Sequence, residues 1–585
     1  MNSSLAGRVF VAAGLTLVAC YGSCPGSEPI PANGDRTAAL AELRDFTLSG
    51  MDRRLGPGYG AYHRRDEPEK FPQVWLAPAR QGPEGRRWQI GGPWAREAGD
   101  FSSTQGQVLY VPDPGIFPVD RVTILEWSNG CFTESPEPPW HGGFRPEPAS
   151  VKWRQAARHG DVGMPIAMAR GMGYWANNGL AVFSSGLLAA AGTVTARGLE
   201  PTFQFPPNKL PTAISITNKS EFVLVTVHDT EKHVGQVAVF SPQVNGKRTN
   251  FVHEWQDDQA WSLPSVAVFT DLKLLGYVDL PGIEFPTGLC AVGNDSGGRM
   301  NGRDGNAGLL REYNLAVQAD RDVFFKGTNA GYSSTTGFAV VIGKREHKAA
   351  FLDLKPLFQR VRAMYFTSAE NYRKTRDAGL APGQWPYTFD IDPAWKPSVV
   401  KVVDVPAPTA VIASLRGGDK AAALIASLDG TVGAYRVGGL ATEAPALPGE
   451  IRRVGDVKAG RNITCLAYFK GSQDTTITVS RGDREIQWIR LSDSGPRVVR
   501  RLRDARLKDP VFAEMSDTHG IETALLTVAD FQGRKIVNYR FSRVVFATQG
   551  GAKFDMGPGG KDEFECGGVL ELPGAPFCIS ATNVN

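Results

Sequence analysis

One phrase recurs down this chain and limits its fold more than any other feature: an apolar strand, a turn built on Pro or Gly, then a second apolar strand. It stands at 202–217 (TFQFPPNKLPTAISIT), 275–292 (LGYVDLPGIEFPTGLCAV), 400–413 (VKVVDVPAPTAVIA), 451–467 (IRRVGDVKAGRNITCLA), 499–514 and 568–582. Val, Ile, Thr and Phe dominate each run and polar turn residues separate them, which is the composition of short strands. A hairpin pattern follows most junctions, at 222–240, 338–352, 421–435, 475–491 and 524–541. Its turns carry Asp229, Asp429 (with Gly430), Asp483 and Asp530, residues whose backbones tolerate the dihedrals a tight turn needs. Repetition at roughly 40–50 residues is the mark of solenoids and propellers, in which each unit buries its apolar faces against its neighbours.

With four short strands per unit, these junctions and hairpins resemble the YVTN/WD40-like β-propeller superfamily, over residues 178–585. The resemblance implies an all-β fold in which each junction links the outer strand of one blade to the inner strand of the next. Counting junctions gives six blades, and a seventh follows if 71–130 forms another. Residues 577–582 would then supply an inner strand at the C-terminus, with 180–184 (LAVFS) as its partner. That pairing closes the ring and removes the sheet edges that otherwise aggregate.

The N-terminus carries a second resemblance. Arg8 precedes an apolar run, 9–19, too short to span a bilayer and suited to a secretory signal. It ends Leu17-Val18-Ala19-Cys20, which resembles the lipobox of bacterial lipoprotein precursors. The resemblance implies cleavage before Cys20, lipidation of its thiol, and anchoring in the cell envelope through chains that each contribute about 0.8 kcal/mol per buried CH₂. Tyr21, where Asp would signal retention, points to the outer membrane, on its periplasmic or its outer side. The competing reading is ordinary signal cleavage with Cys20 in a disulfide. The expected organisation is a signal peptide at 1–19, a Pro/Gly-rich tether and short helix at 20–70, a small β-rich region at 71–177 with an irregular stretch over 131–175, and the propeller at 178–585.

Composition excludes some roles. A formal net charge of +4 over 585 residues lacks the concentrated basic stripe of a nucleic-acid binder. The basic run at 497–506 (RVVRRLRDAR) reads as a solvated strand edge protected from pairing. Of seven cysteines, Cys290, Cys465 and Cys578 fall in apolar runs and read as small buried hydrophobes, while Cys131 and Cys566 are a candidate disulfide pair in an exported chain.

Strand order also orients the long insertions. Naming strands a to d from inside out, the segments 241–263, 355–396 and 542–565 are c–d connections and 293–336 is an a–b connection. All four leave the same face, and long loops in compact domains are commonly functional. On that face the candidate ligand-binding residues are Trp255, Asp257, Asp258, Trp261, Asp295, Arg299, Asp304, Tyr372 and Trp385. Acidic and aromatic side chains around Trp255 suit a sugar or peptide; a packed lid is the plainer reading. The Gly-rich segment 293–308 offers oxygen ligands for Ca²⁺, but the spacing of an EF-hand is missing and a mobile loop fits better. The stripe Leu357, Phe358, Val361, Tyr365 has helical spacing and reads as packing.

No zinc, phosphate-loop or nucleophile-elbow motif is present, and the eight His show no metal spacing; His228 and His233 flank one turn and read as solvated. The Arg-Gly-Asp at 481–483 falls on a hairpin turn, where Gly-Asp is expected anyway. The expected function is therefore binding of a protein or glycan partner through the insertion-bearing face, with no cofactor required. An exported propeller hydrolase or lyase, lactonase-like and with a central Ca²⁺, is the alternative; it requires carboxylates converging on the channel, for which Asp279 and Asp404 lie too far out.

Overall fold

The structure, a computed structural model, describes residues 80–81, 87–88, 105–112, 124–128, 150–154, 165–170, 178–192, 199–217, 221–243, 271–293, 313–377, 379–414, 420–468, 474–516, 524–541, 544–547, 553–556, 564–571 and 574–582. These residues form a β-propeller of small antiparallel sheets with few helices. Seven sheets have four strands each. Six run continuously along the chain, over 165–204, 209–279, 288–404, 408–458, 463–503 and 510–571. The seventh joins Gly574–Thr582 to Gln105–Pro112, Ile124–Ser128 and Ser150–Arg154. The six junctions of the sequence thus link seven sheets, and the additional one draws on strands inside 71–130.

The C-terminal strand is an inner strand, as its place in the repeat implies, but its partner differs from the expected one. Gly574–Thr582 pairs with Gln105–Pro112, from Gln105 opposite Thr582 to Pro112 opposite Gly574. The strand at 178–183 already has an inner neighbour, Pro165–Arg170 (PIAMAR), so it cannot accept the tail. That run, and Ser150–Arg154, fall inside the stretch expected to be irregular. Prolines and aromatics nearby mask two short strands whose pattern is too brief to register. The expected boundary between 177 and 178 therefore falls between two strands of one sheet.

The chain divides into two compact units. The larger, Ile166–Ala190 with Pro201–Asp504, holds most of the first sheet and all of the next four. Burial within it follows position in the blade. Middle strands, sandwiched between neighbouring sheets, are buried on both faces: Val223–Asp229, Gly337–Gly343, Ala422–Ser427 and Thr475–Ser480 contain no exposed residue. The inner strand Ile463–Tyr468 alternates buried and half-buried, and the outer strand Ser398–Asp404 is half-buried with exposed ends. Apolar clusters fill the spaces between consecutive sheets. Leu180 and Val182 meet Val225 and Phe240, Val340 and Phe351 meet Ala423 and Ile425, and Leu424 and Val432 meet Ile463 and Ile489.

Twist is built in at fixed places. The two outermost strands of sheets two to six each carry a register shift, at Val239/Phe240, Phe351/Leu352, Ala434/Tyr435, Trp488/Ile489 and Asn538/Tyr539. A bulge sharpens the right-handed twist a blade needs to lie against its neighbours. In the second sheet, Gly276, at φ +146°, lies opposite Val239 beside the shift, and the ring of Phe389 fills the space a Cβ would take.

The smaller unit, made of Met1–Pro165, Ala191–Glu200 and Ala505–Asn585, contains the sixth and seventh sheets. Their inner strands, Pro510–Ser516 and Gly574–Thr582, lie side by side. A separate hairpin pairs Val544–Ala547 with Lys553–Met556 in the c–d connection of the sixth sheet.

Candidate functional site

The larger unit presents two loop-bearing faces, and they are built differently. On the face of a–b and c–d connections, residues 313–336 and 354–397 fold into a compact cap. Pro356 starts a helix over Lys355–Arg362 that continues as a wider turn over Ala363–Thr367; a second helix, Ala369–Thr375, is capped by the Ser368 side chain accepting from the Asn371 amide. Leu357, Phe358 and Val361 are buried, as their spacing predicts, with Tyr365 beneath them. Trp385 stacks on Trp395 with ring centres 5.5 Å apart and donates from Nε1 to the Tyr365 hydroxyl at 2.9 Å.

Buried cations tie this cap to the sheets. Lys273 Nζ, on the outer strand of the second sheet, donates to the carbonyls of Gly379, Ala381 and Gln384 at 2.8, 2.6 and 2.8 Å. Burial pushes its ammonium down to about 8, with Asp377 opposing. Lys355 Nζ reaches the Gly439 and Ala444 carbonyls of the next sheet's c–d loop, and Glu221 accepts from the Ser334 amide and hydroxyl at 2.7 and 2.8 Å.

Two expected ligand-binding residues are thereby corrected. Tyr372 is 4% and Trp385 1% exposed; both belong to the core of the cap and offer nothing to a ligand. Their helical and aromatic context signalled packing as strongly as binding. Trp255, Asp257, Asp258, Trp261, Asp295, Arg299 and Asp304 lie outside the described residues, as do Cys20 and Cys131, and the Cys566 side chain is likewise undescribed. Cys465 and Cys578 are buried, as expected; Cys290 is half-buried, with its Sγ 3.5 Å from the Tyr468 hydroxyl.

The cap surface mixes charged side chains such as Lys326, Glu370 and Lys374 with exposed apolar ones. Among the described residues eight large hydrophobic side chains are exposed, and five of them stand on connections of this face: Val317, Phe325, Leu380, Ile391 and Leu447. The other long insertions of the larger unit leave the same edge of their sheets, after Gln243 and Gly293. The insertion after Phe541 leaves the corresponding edge of the sixth sheet.

The opposite face is made of tight turns and charge. Three of its hairpins share one design, a four-residue turn whose last residue is left-handed: His233, His347 and Arg484, at φ 52°, 57° and 53°; the sixth sheet, in the smaller unit, repeats the design at Arg534, φ 51°. The turn Asp residues act through their side chains rather than through the permissive backbone expected of them, since the left-handed position falls to His or Arg. Asp229 Oδ1 accepts from the Glu231 and Lys232 amides at 3.0 and 3.1 Å, and Asp530 accepts from the amides of Lys508, Asp509 and Gly533. In the second sheet Lys209, Asp229, Gln236 and Asp279 form a chain of contacts across all four strands. Burial alone would raise the Asp229 carboxyl; the Lys209 ammonium, 2.5 Å away, and the turn amides outweigh it and hold it at about 2. Arg481-Gly482-Asp483 sits on the fifth sheet's turn, with Asp483 held by Arg461 at 2.7 Å and by the Ser480 hydroxyl.

One constellation here escaped the sequence. His228 is 7% exposed rather than solvated, and its ring lies tilted against Phe285, centres 4.1 Å apart. Together with His233 and Glu284 it forms a group whose ligand atoms all lie within 4.8 Å of one another. Glu284 comes from the junction leading to the third sheet, too far along the chain for a spacing motif to find.

The inner strands carry little acid. Across all seven, Glu514 on Pro510–Ser516 is the one carboxylate. Asp279 and Asp404 close the outermost strands of their sheets, as expected. Among the described residues no helix is long and apolar enough to cross a membrane.

No protein-family profile and no curated protein matches this chain. Solved structures of similar architecture exist. The periplasmic gluconolactonase of Pseudomonas aeruginosa is 13% identical, with a TM-score of 0.40, over 83% of this chain and 100% of its own. Two proteins provisionally assigned as 6-phosphogluconolactonases, from Bacteroides fragilis and Bacteroides uniformis, are each 11% identical with a TM-score of 0.39. They cover 82% of this chain and 98% and 99% of theirs. That activity belongs to those proteins; it is the one the sequence reading holds as its alternative.

Proposed function

We propose that this chain is a cell-envelope binding protein, anchored by lipid on Cys20, that takes a protein partner on its insertion-bearing face. One observation carries the reading: five of the eight exposed large hydrophobic side chains among the described residues stand on connections of that face, four of them on the cap itself. A rigid platform studded with apolar groups loses little conformational entropy on association, and exposed apolar groups of this kind mark interaction surfaces. The test is capture from envelope extract with the mature soluble form. Wild type should enrich a discrete partner, and a Phe325→Asp, Ile391→Asp double variant of unchanged Tm should lose it. Equal capture by both would overturn the assignment of the face.

Lactone or ester hydrolysis is the second reading, with Glu514, the one carboxylate on the described inner strands, as its candidate general base. It predicts measurable hydrolysis of gluconolactone, reduced at least roughly a hundredfold in Glu514→Gln, a typical scale for loss of a general base. Absence of hydrolysis by the intact chain removes this reading and leaves the first untouched.

A further inference from the structure

We propose that His228, His233 and Glu284 form a binding site for a zinc-class divalent cation, on the face opposite the insertions. The protonation of His228 follows from geometry. Its Nδ1 lies 3.1 Å from the Glu284 carbonyl oxygen. A carbonyl can only accept, so Nδ1 carries the proton and Nε2 keeps a free lone pair. A metal-binding histidine is ordinarily held in this way, with its other ring nitrogen donating to a carbonyl or carboxylate. The ring cannot swing freely, because Phe285 packs against it and the surrounding strand is buried.

The other two ligands are positioned by rigid backbone. His233 closes the turn in the left-handed conformation, with the Glu231 and Lys232 amides pinned to Asp229, and its Nδ1 lies 3.6 Å from Glu284 Oε1. The Glu284 and Phe285 amides donate to Glu346 Oε1 of the next sheet at 3.2 and 3.0 Å, which fixes the junction that carries the carboxylate. Two imidazoles and one carboxylate suit Zn²⁺, Co²⁺ or Ni²⁺ rather than Ca²⁺, which prefers oxygen ligands throughout. A three-ligand set leaves a fourth position for water or a side chain of a partner. His233 is the exposed member, so the cation would dock from solvent onto two groups already placed.

The experiment is calorimetric titration of the full chain with ZnCl₂ at pH 7.5, alongside cobalt absorption spectra. One equivalent should bind, with Co²⁺ giving the intense visible bands of a low-coordinate site. His233→Ala and Glu284→Gln, both at accessible turn positions, should each weaken that equivalent at least tenfold with Tm unchanged in the absence of metal. His347→Ala, at the matching left-handed position of the next sheet's turn, should leave it intact. No binding by the full chain, or an equivalent that both ligand variants retain, would overturn the proposal.

Discussion

Single residues show how little freedom the packed regions allow. Trp385 is fully enclosed by Trp395, Tyr365, Tyr387 and the sheet beneath. Trp385→Ala should cost about 3–5 kcal/mol of stability, the range for deleting a large aromatic from a core, measured by urea denaturation. Gly430 is constrained differently. Its φ is +87°, and a Cβ there would stand 1.6 Å from the Gly460 carbonyl oxygen, which is backbone and cannot step aside. Gly430→Ala should therefore lower the Tm by several degrees, although it adds only one methyl, at a buried turn glycine. The sequence announced Gly430, since Asp-Gly between two apolar runs is a hairpin signal. It left Trp385 undecided, because an aromatic in a long insertion looks the same whether it faces a ligand or a core.

At the scale of the element, the repeated hairpin is the informative part. His233, His347, Arg484 and Arg534 share one backbone conformation because the same turn recurs, although their side chains serve different ends. Arg484 is exposed and its left-handed conformation costs most residues about 1–2 kcal/mol, more for a branched side chain. Arg484→Val should destabilise by roughly that amount, whereas Arg484→Gly should stay within about 0.5 kcal/mol of wild type or gain, by thermal denaturation. Hairpin-turn carboxylates also set a pH limit. Asp229 and Asp429 are both held at about 2, below their ordinary 3.8. A depressed carboxyl binds fewer protons folded than unfolded, so its contribution is present above pH 4 and is lost as pH falls through 3.8 toward 2. The Tm should drop over that interval, and Asp229→Asn, while lowering Tm at neutral pH, should flatten the drop.

For the whole molecule, the seventh sheet matters most, because both ends of the chain build it. Its inner strand comes from Gly574–Thr582 and its other three from 105–154. Removing 574–582 would uncover one edge of Gln105–Pro112 and expose unpaired amides and carbonyls. The shortened chain should unfold at lower temperature and associate at micromolar concentration, checked by size-exclusion chromatography with light scattering.

Local pattern was enough to establish that the chain makes four-stranded repeats, where their turns fall, and from which edge the long insertions leave. Those properties depend on β-branched apolar composition and turn chemistry between neighbours in sequence, and Val223–Asp229 with its Asp turn shows both. Pairing between distant segments decided the rest. Whether 577–582 meets 180–184 or 105–112 depends on which strand still lacks an inner neighbour, and that is known only once Pro165–Arg170 has taken its place. Likewise Glu284 reaches His228 and His233 because the junction folds back across the turn, an encounter set by three-dimensional packing that no spacing along the chain records.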